Sequence, residues 1–190
     1  MIEQQSSQLL PGLFEAITED QRITVLHLGP VLPETLEFFS GLRCKLYIND
    51  LFAELPLSFE PGDELTVQQR FSELLAFPED VRFDLCLFWD LLNYLDEEGI
   101  RALMQCLRPH LDDASRAHAF GVHNTRAPQR ERRFGIVSQA ELALRPRPTR
   151  LPGYAPHPQA RLAEWLDGFD VKRSVLLAES RLELLLQAKT

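Results

Sequence analysis

A chain of 190 residues, 45 % hydrophobic and 25 % charged, has the composition of an ordinary soluble globular domain with room for one buried core. No run approaches the roughly 18 apolar residues of a membrane span, and Met1-Ile2-Glu3-Gln4-Gln5 has neither the basic start nor the apolar stretch of a signal peptide, so a cytoplasmic protein without membrane attachment is expected. The formal net charge of -8 excludes a general nucleic-acid binder, which needs a broad basic surface to displace counterions from phosphates.

In chain order, Leu9, Leu10, Leu13, Phe14 and Ile17 fit a short helix whose start Pro11 delays, making residues 1–21 a helical lead-in. Ile23 to Leu28 is a continuous apolar run of the kind that forms a parallel strand buried on both faces, and Gly29-Pro30-Val31-Leu32-Pro33 is the turn after it. Pro33 suits the first turn of a helix, with Leu32, Leu36 and Phe39 on one face and Gly41 ending it in a left-handed conformation. Cys44 to Asp50 reads as a second strand closing on a carboxylate. Leu51 to Pro61 is turn-rich, after which Asp63 caps a helix carrying Val67, Phe71, Leu74 and Leu75 until Pro78 stops it.

Phe83 to Asp90 is another buried strand with an acidic end, followed by a helical turn over Leu91 to Leu95 and an Asp96-started helix with Ile100, Leu103, Met104 and Leu107 inward. Arg116 to Val122 supplies a further strand. Residues 124–158 are rich in arginine and proline, and Pro128, Pro146, Pro148, Pro152, Pro156 and Pro158 argue for a long irregular insertion. A helix over Gln159 to Leu166 then leads to an antiparallel hairpin pairing Val171 to Ala178 with Arg181 to Ala188.

Cys44, Cys86 and Cys106 have no metal-ligand spacing and read as core thiols. His123, Asn124, Tyr154 and Trp165 form no metal or triad pattern, so neither metal nor nucleophilic catalysis is expected. The insertion carries Arg126, Arg130, Arg132, Arg133, Arg145, Arg147 and Arg150 against Glu131 and Glu141, a basic loop on an acidic body. Of these, Arg126, Arg130, Arg132 and Arg133 are either solvated surface charges or a clamp for a carboxylate or phosphate on a substrate or partner.

The order of elements, the run Phe83-Asp84-Leu85-Cys86-Leu87-Phe88-Trp89-Asp90-Leu91-Leu92-Asn93-Tyr94-Leu95 and the terminal hairpin together resemble the class I S-adenosylmethionine-dependent methyltransferases over nearly the whole chain after Gln21. The resemblance implies an open, mostly parallel α/β sheet with helices on both faces, a closing antiparallel hairpin and S-adenosylmethionine as cofactor. It aligns His27, Gly29 and Asp50 with cofactor-contacting positions and Asp90, Asn93 and Tyr94 with the acceptor side, where catalytic residues would stand.

The match is incomplete. In such enzymes the first strand ends in an acid and a glycine-rich loop that lets backbone approach the cofactor. Here His27 stands in place of the acid, only Gly29 matches a glycine, and Val31 and Pro33 change the shape of the loop. The third strand, due near Val67 to Ser72, is short or missing. Asp50 is then a ribose-binding acid or a loop cap, His27 a cofactor contact or a backbone-bonded core histidine, and Asp90 a proton acceptor or a turn cap. Three functions follow: a methyltransferase-like protein with lost cofactor binding, serving as an interaction or regulatory module for a protein or small molecule, an active methyltransferase acting on a small molecule or protein side chain, or a crevice that binds another nucleotide or metabolite without catalysis.

Overall fold

The structure, a computed structural model, describes residues 2–58 and 60–189. Two sheets organise it. The larger has six strands: β2 (Ile23–His27), β3 (Cys44–Ile48), β4 (Leu85–Trp89), β5 (Arg116–Val122), β8 (Phe169–Leu176) and β9 (Arg181–Ala188), in the order β3-β2-β4-β5-β9-β8. β3, β2, β4 and β5 are mutually parallel, and β9 runs antiparallel to both β5 and β8. All five residues of β4 are buried, which is why its sequence is apolar without alternation.

Helices cover both faces of this sheet. A Cβ on Gly12 of α1 (Leu10–Phe14) would touch Leu185, whereas one on Gly121 would touch Leu184 and Leu162 of α5 (Gln159–Trp165). Leu184 and Leu185 are consecutive on β9 and so point to opposite faces, placing α1 and α5 on opposite sides. α2 (Pro33–Ser40) meets α1 through the rings of Phe14, Phe38 and Phe39, while α3 (Val67–Leu74) and α4 (Glu97–Leu107) pack on each other.

Several local expectations are corrected. Gly41 does end α2, but with φ of -80°, in right-handed backbone. α3 is capped by Thr66 in a reciprocal capping box with Gln69, not by Asp63, because Thr66 sits three residues before a side chain able to return the bond. Asp96 caps α4, its side chain accepting from the Gly99 N–H at 2.8 Å. Where a third parallel strand would lie the chain forms α3, and no strand among the described residues extends the sheet beyond β3.

The larger correction is a second sheet. The lead-in contains a strand, β1 (Glu3–Ser6), and the arginine-proline stretch contains β6 (Arg132–Ser138) and β7 (Glu141–Pro146), joined antiparallel in the order β1-β7-β6. The prolines stand at or beyond the strand ends, where no ladder N–H is needed, so they bound the hairpin without preventing it. β6 lies on the amino end of α2: a Cβ on Gly135 would come within 3.2 Å of Leu32, the Ile136 N–H donates to Thr35 Oγ1 at 3.1 Å, and Arg145 of β7 pairs with Glu34. The small sheet therefore sits over the carboxyl ends of β2 and β4.

Candidate functional site

In an open α/β sheet the ligand crevice lies outside the carboxyl ends of the strands, where connections diverge to opposite faces. Here that position falls between β2 and β4, at Gly29. Two aromatic side chains pack against it. A Cβ on Gly29 would stand 3.1 Å from the Phe52 ring and 3.2 Å from the Trp89 indole, so a side chain there would crowd both aromatic rings. Leu32, in the loop after Gly29, is buried against Gly135.

Trp89 holds its place through two contacts. Its indole N–H donates to His27 Nε2 at 3.1 Å, and its ring stacks on Phe134 of β6 with centroids 5.6 Å apart and planes 9° from parallel. Its backbone has φ of 54°, rare for a bulky residue, at the point where the β4–β5 ladder shifts register. Because an indole N–H can only donate, His27 Nε2 must be unprotonated, and Nδ1–H then donates to the Gly29 carbonyl at 3.1 Å. Burial lowers the His27 pKa to about 4, which agrees with a neutral ring.

On the outer side of Phe52 lies Arg147, just past β7. Its guanidinium stands 4.3 Å from the Phe52 ring centroid and pairs with Asp90 at 3.0 Å, with both side chains almost fully buried. Burial pushes Asp90 up to about 6, with Arg147 opposing the rise. Asn93 Nδ2 donates to the Phe120 carbonyl at 3.4 Å, and Asn93 Oδ1 is buried without a partner. Tyr94 packs on Phe52 and Tyr154, and burial pushes its hydroxyl up to about 12. The space bounded by Asp90, Asn93, Phe120 and Tyr154 is only ≈ 20 Å³. That holds one water and no methyl acceptor.

Asp50 caps the 3-10 turn Leu51–Glu54, accepting from the Phe52 N–H at 3.2 Å, and burial raises its pKa. It also borders an open pocket of ≈ 320 Å³ shared with Pro30, Phe52, Arg133, Arg147 and Leu151. A larger opening of ≈ 530 Å³ lies beside the carboxyl end of α4, at the opposite edge of the sheet from these residues.

The structure thus gathers His27, Gly29, Asp90, Asn93 and Tyr94 around one crevice, with Asp50 at its outer rim. It does not gather the four arginines. Arg126 is exposed, Arg130 pairs with Glu179 at 3.2 Å and borders the small space beside Asp90 and Asn93, Arg132 lies 3.8 Å from Glu3, and Arg133 faces the pocket at Asp50. Sequence reasoning missed Phe52, Trp89, Phe134 and Arg147 as the residues that fill the crevice. The available signals were an aromatic two residues after Asp50 and a tryptophan directly before Asp90. Among the described residues no group of three or more His, Cys, Asp or Glu side chains is placed to hold a metal ion, and no helix is long and apolar enough to cross a membrane.

No protein-family model matches the sequence, and comparison with curated proteins yields no match. Solved structures do match. The 1,6-didemethyltoxoflavin-N1-methyltransferase of Burkholderia thailandensis, solved with 1,6-didemethyltoxoflavin and S-adenosylhomocysteine bound, aligns over 96 % of this chain and 78 % of its own at 14 % identity, with a TM-score of 0.53. This chain has the class I methyltransferase fold. A putative type 11 methyltransferase of Sulfolobus solfataricus aligns over 95 % of this chain and 90 % of its own (15 % identity, TM-score 0.52). The CcbJ methyltransferase of Streptomyces caelestis aligns over 95 % and 94 % (14 % identity, TM-score 0.51). The chain spans 55 % of a longer match, the pyocyanin biosynthetic protein PhzM. At these identities the likeness is one of fold alone. Within the methyltransferase fold, β2, β3, β4 and β5 supply the parallel strands and β8–β9 the closing hairpin.

Proposed function

We propose that this protein is a cytoplasmic, single-domain member of the methyltransferase fold whose cofactor crevice no longer takes S-adenosylmethionine, and that it serves as an interaction or regulatory module for a protein or small-molecule partner. The observation that carries this reading is the pair of aromatic rings at Gly29. A donor resting on that backbone would need the space held by Phe52 and Trp89. Expelling one large aromatic re-exposes roughly 150–250 Å², a cost of about 4–6 kcal/mol at about 25 cal/mol per Å². A micromolar site would be weakened by about three to four orders of magnitude. The Asp90–Arg147 pair and the ≈ 20 Å³ space beside Asn93 leave the acceptor side closed as well.

A second reading, an active methyltransferase acting on a small molecule or protein side chain, draws support from the ≈ 320 Å³ pocket bordering Asp50. It requires Trp89 and Arg147 to swing out before the donor enters. Thermal melting with S-adenosylmethionine and S-adenosylhomocysteine separates the two, since a ligand held by the folded form alone adds about 2.7 kcal/mol at a hundredfold excess over its dissociation constant. No shift is expected from either compound. A shift that disappears in Asp50→Ala would overturn the proposal in favour of the active enzyme.

A further inference from the structure

We propose that the pocket beside Asp50 is a binding site for a small ligand with a terminal oxyanion, carboxylate or phosphate, on an apolar or aromatic body, and that Arg133 is the residue that grips the oxyanion. The inference rests on the reading that this region no longer takes a methyl donor, and it names what the remaining opening accepts.

Within the arginine-rich stretch, Arg145 pairs with Glu34, Arg147 with Asp90, Arg130 with Glu179 and Arg132 with Glu3. Arg126 and Arg150 are exposed to water. Arg133 is half-buried, has no carboxylate partner among the described residues, and its Nε is buried without a hydrogen bond. Asp50 lines the same pocket, but no ion pair joins it to Arg133 among the described residues. Directly across the β6–β7 ladder stands Arg145, whose charge is met by Glu34 and which offers Arg133 no counter-charge. A partly desolvated, unpaired cation is destabilising unless an anion completes it.

The cation also lines an opening of suitable size. The pocket is ≈ 320 Å³, within the range of small-molecule sites, and Pro30, Phe52 and Leu151 give it apolar walls. A planar guanidinium offers two parallel donors, the geometry that fits a carboxylate or phosphate edge.

The test is thermal melting and calorimetric titration of the full chain with phenyl phosphate, benzoate, inorganic phosphate and S-adenosylhomocysteine, at constant ionic strength against chloride. Phenyl phosphate or benzoate is expected to raise the melting temperature, with the stronger of the two identifying the oxyanion. Arg133→Gln should weaken that binding by about 10- to 100-fold, Arg133→Lys should weaken it less, and the exposed Arg161→Gln should leave it unchanged. Retained binding in Arg133→Gln, equal loss in Arg161→Gln, or no shift with any of the three anions would overturn the proposal. The Arg133→Lys variant keeps the charge, and so keeps the test intact if Arg133→Gln does not fold. An anion shift together with a S-adenosylhomocysteine shift would leave this site standing and refute the lost-donor reading. An absent anion shift with an absent S-adenosylhomocysteine shift would do the reverse.

Discussion

Two buried carboxylates in this molecule, Glu183 on β9 and Asp90 at the end of β4, stand in contrasting surroundings. Glu183 accepts from the Ser7 hydroxyl, from the Gln8 N–H at 3.2 Å and from His118 Nε2 at 2.8 Å. Burial acts to raise its pKa, yet the bonds from His118, Ser7 and Gln8 outweigh burial and hold it below the usual carboxylate range. Asp90 has one side-chain donor, Arg147, and is pushed up to about 6. The count of donors decides which effect wins. The difference teaches that the hairpin half of the sheet is fastened from several directions, tying the segment after β1 to β9. The carboxyl edge is instead stoppered by a few side chains, one of them brought from 57 positions away along the chain.

The contrast can be broken most severely at Trp89. Trp89→Ala removes the stack on Phe134 and leaves a cavity, and denaturant unfolding should show a loss of about 3–5 kcal/mol. Next comes Arg147→Ala, which strands Asp90 and should cost about 3 kcal/mol at pH 8. The loss should shrink near pH 5, where the carboxyl takes up a proton instead. An equal loss at both pH values would show that Asp90 does not depend on Arg147.

The pH dependence sharpens the same point. Asp90 has a folded-state pKa above its unfolded value of 3.8, so its contribution to stability is fully present below 3.8 and is lost as pH rises through about 6. His27 has a folded-state pKa depressed from 6.5 to about 4, so its contribution is present above 6.5 and is lost as pH falls toward 4. Each spans up to about 3 kcal/mol, with opposite sign, and the two largely cancel in the native chain between pH 6.5 and 4. Asp90→Asn should therefore lose stability on acidification across that window, and His27→Gln should gain it. Parallel profiles for the two variants would remove the assignment. The smallest effect belongs to the fastened half: Ser7→Ala takes one of three donors from Glu183 and should cost about 1 kcal/mol, measured by the same unfolding.

How much of this was legible in the sequence follows from where each signal resides. β2 and β4 read directly because strands buried on both faces have nothing but apolar residues to show. The β8–β9 hairpin read from its two apolar runs flanking Glu179-Ser180. β1, Glu-Gln-Gln-Ser, carries no strand signal, and its conformation comes from pairing with β7. The β6–β7 hairpin was hidden by composition, although Phe134 and Ile136 with Leu142 and Leu144 do alternate. At the candidate site the sequence revealed what the glycine loop lacks. It did not reveal what fills the space, because Phe52, Trp89 and Arg147 meet only through the fold.

The central claim is that aromatic side chains occupy the space beside Gly29. A high-resolution crystal structure grown with excess S-adenosylhomocysteine tests it most directly. The account predicts the Trp89 indole bonded to His27, Arg147 on Asp90, and no ligand in the crevice. Ordered S-adenosylhomocysteine against Gly29, with Trp89 turned out of the way, would contradict it.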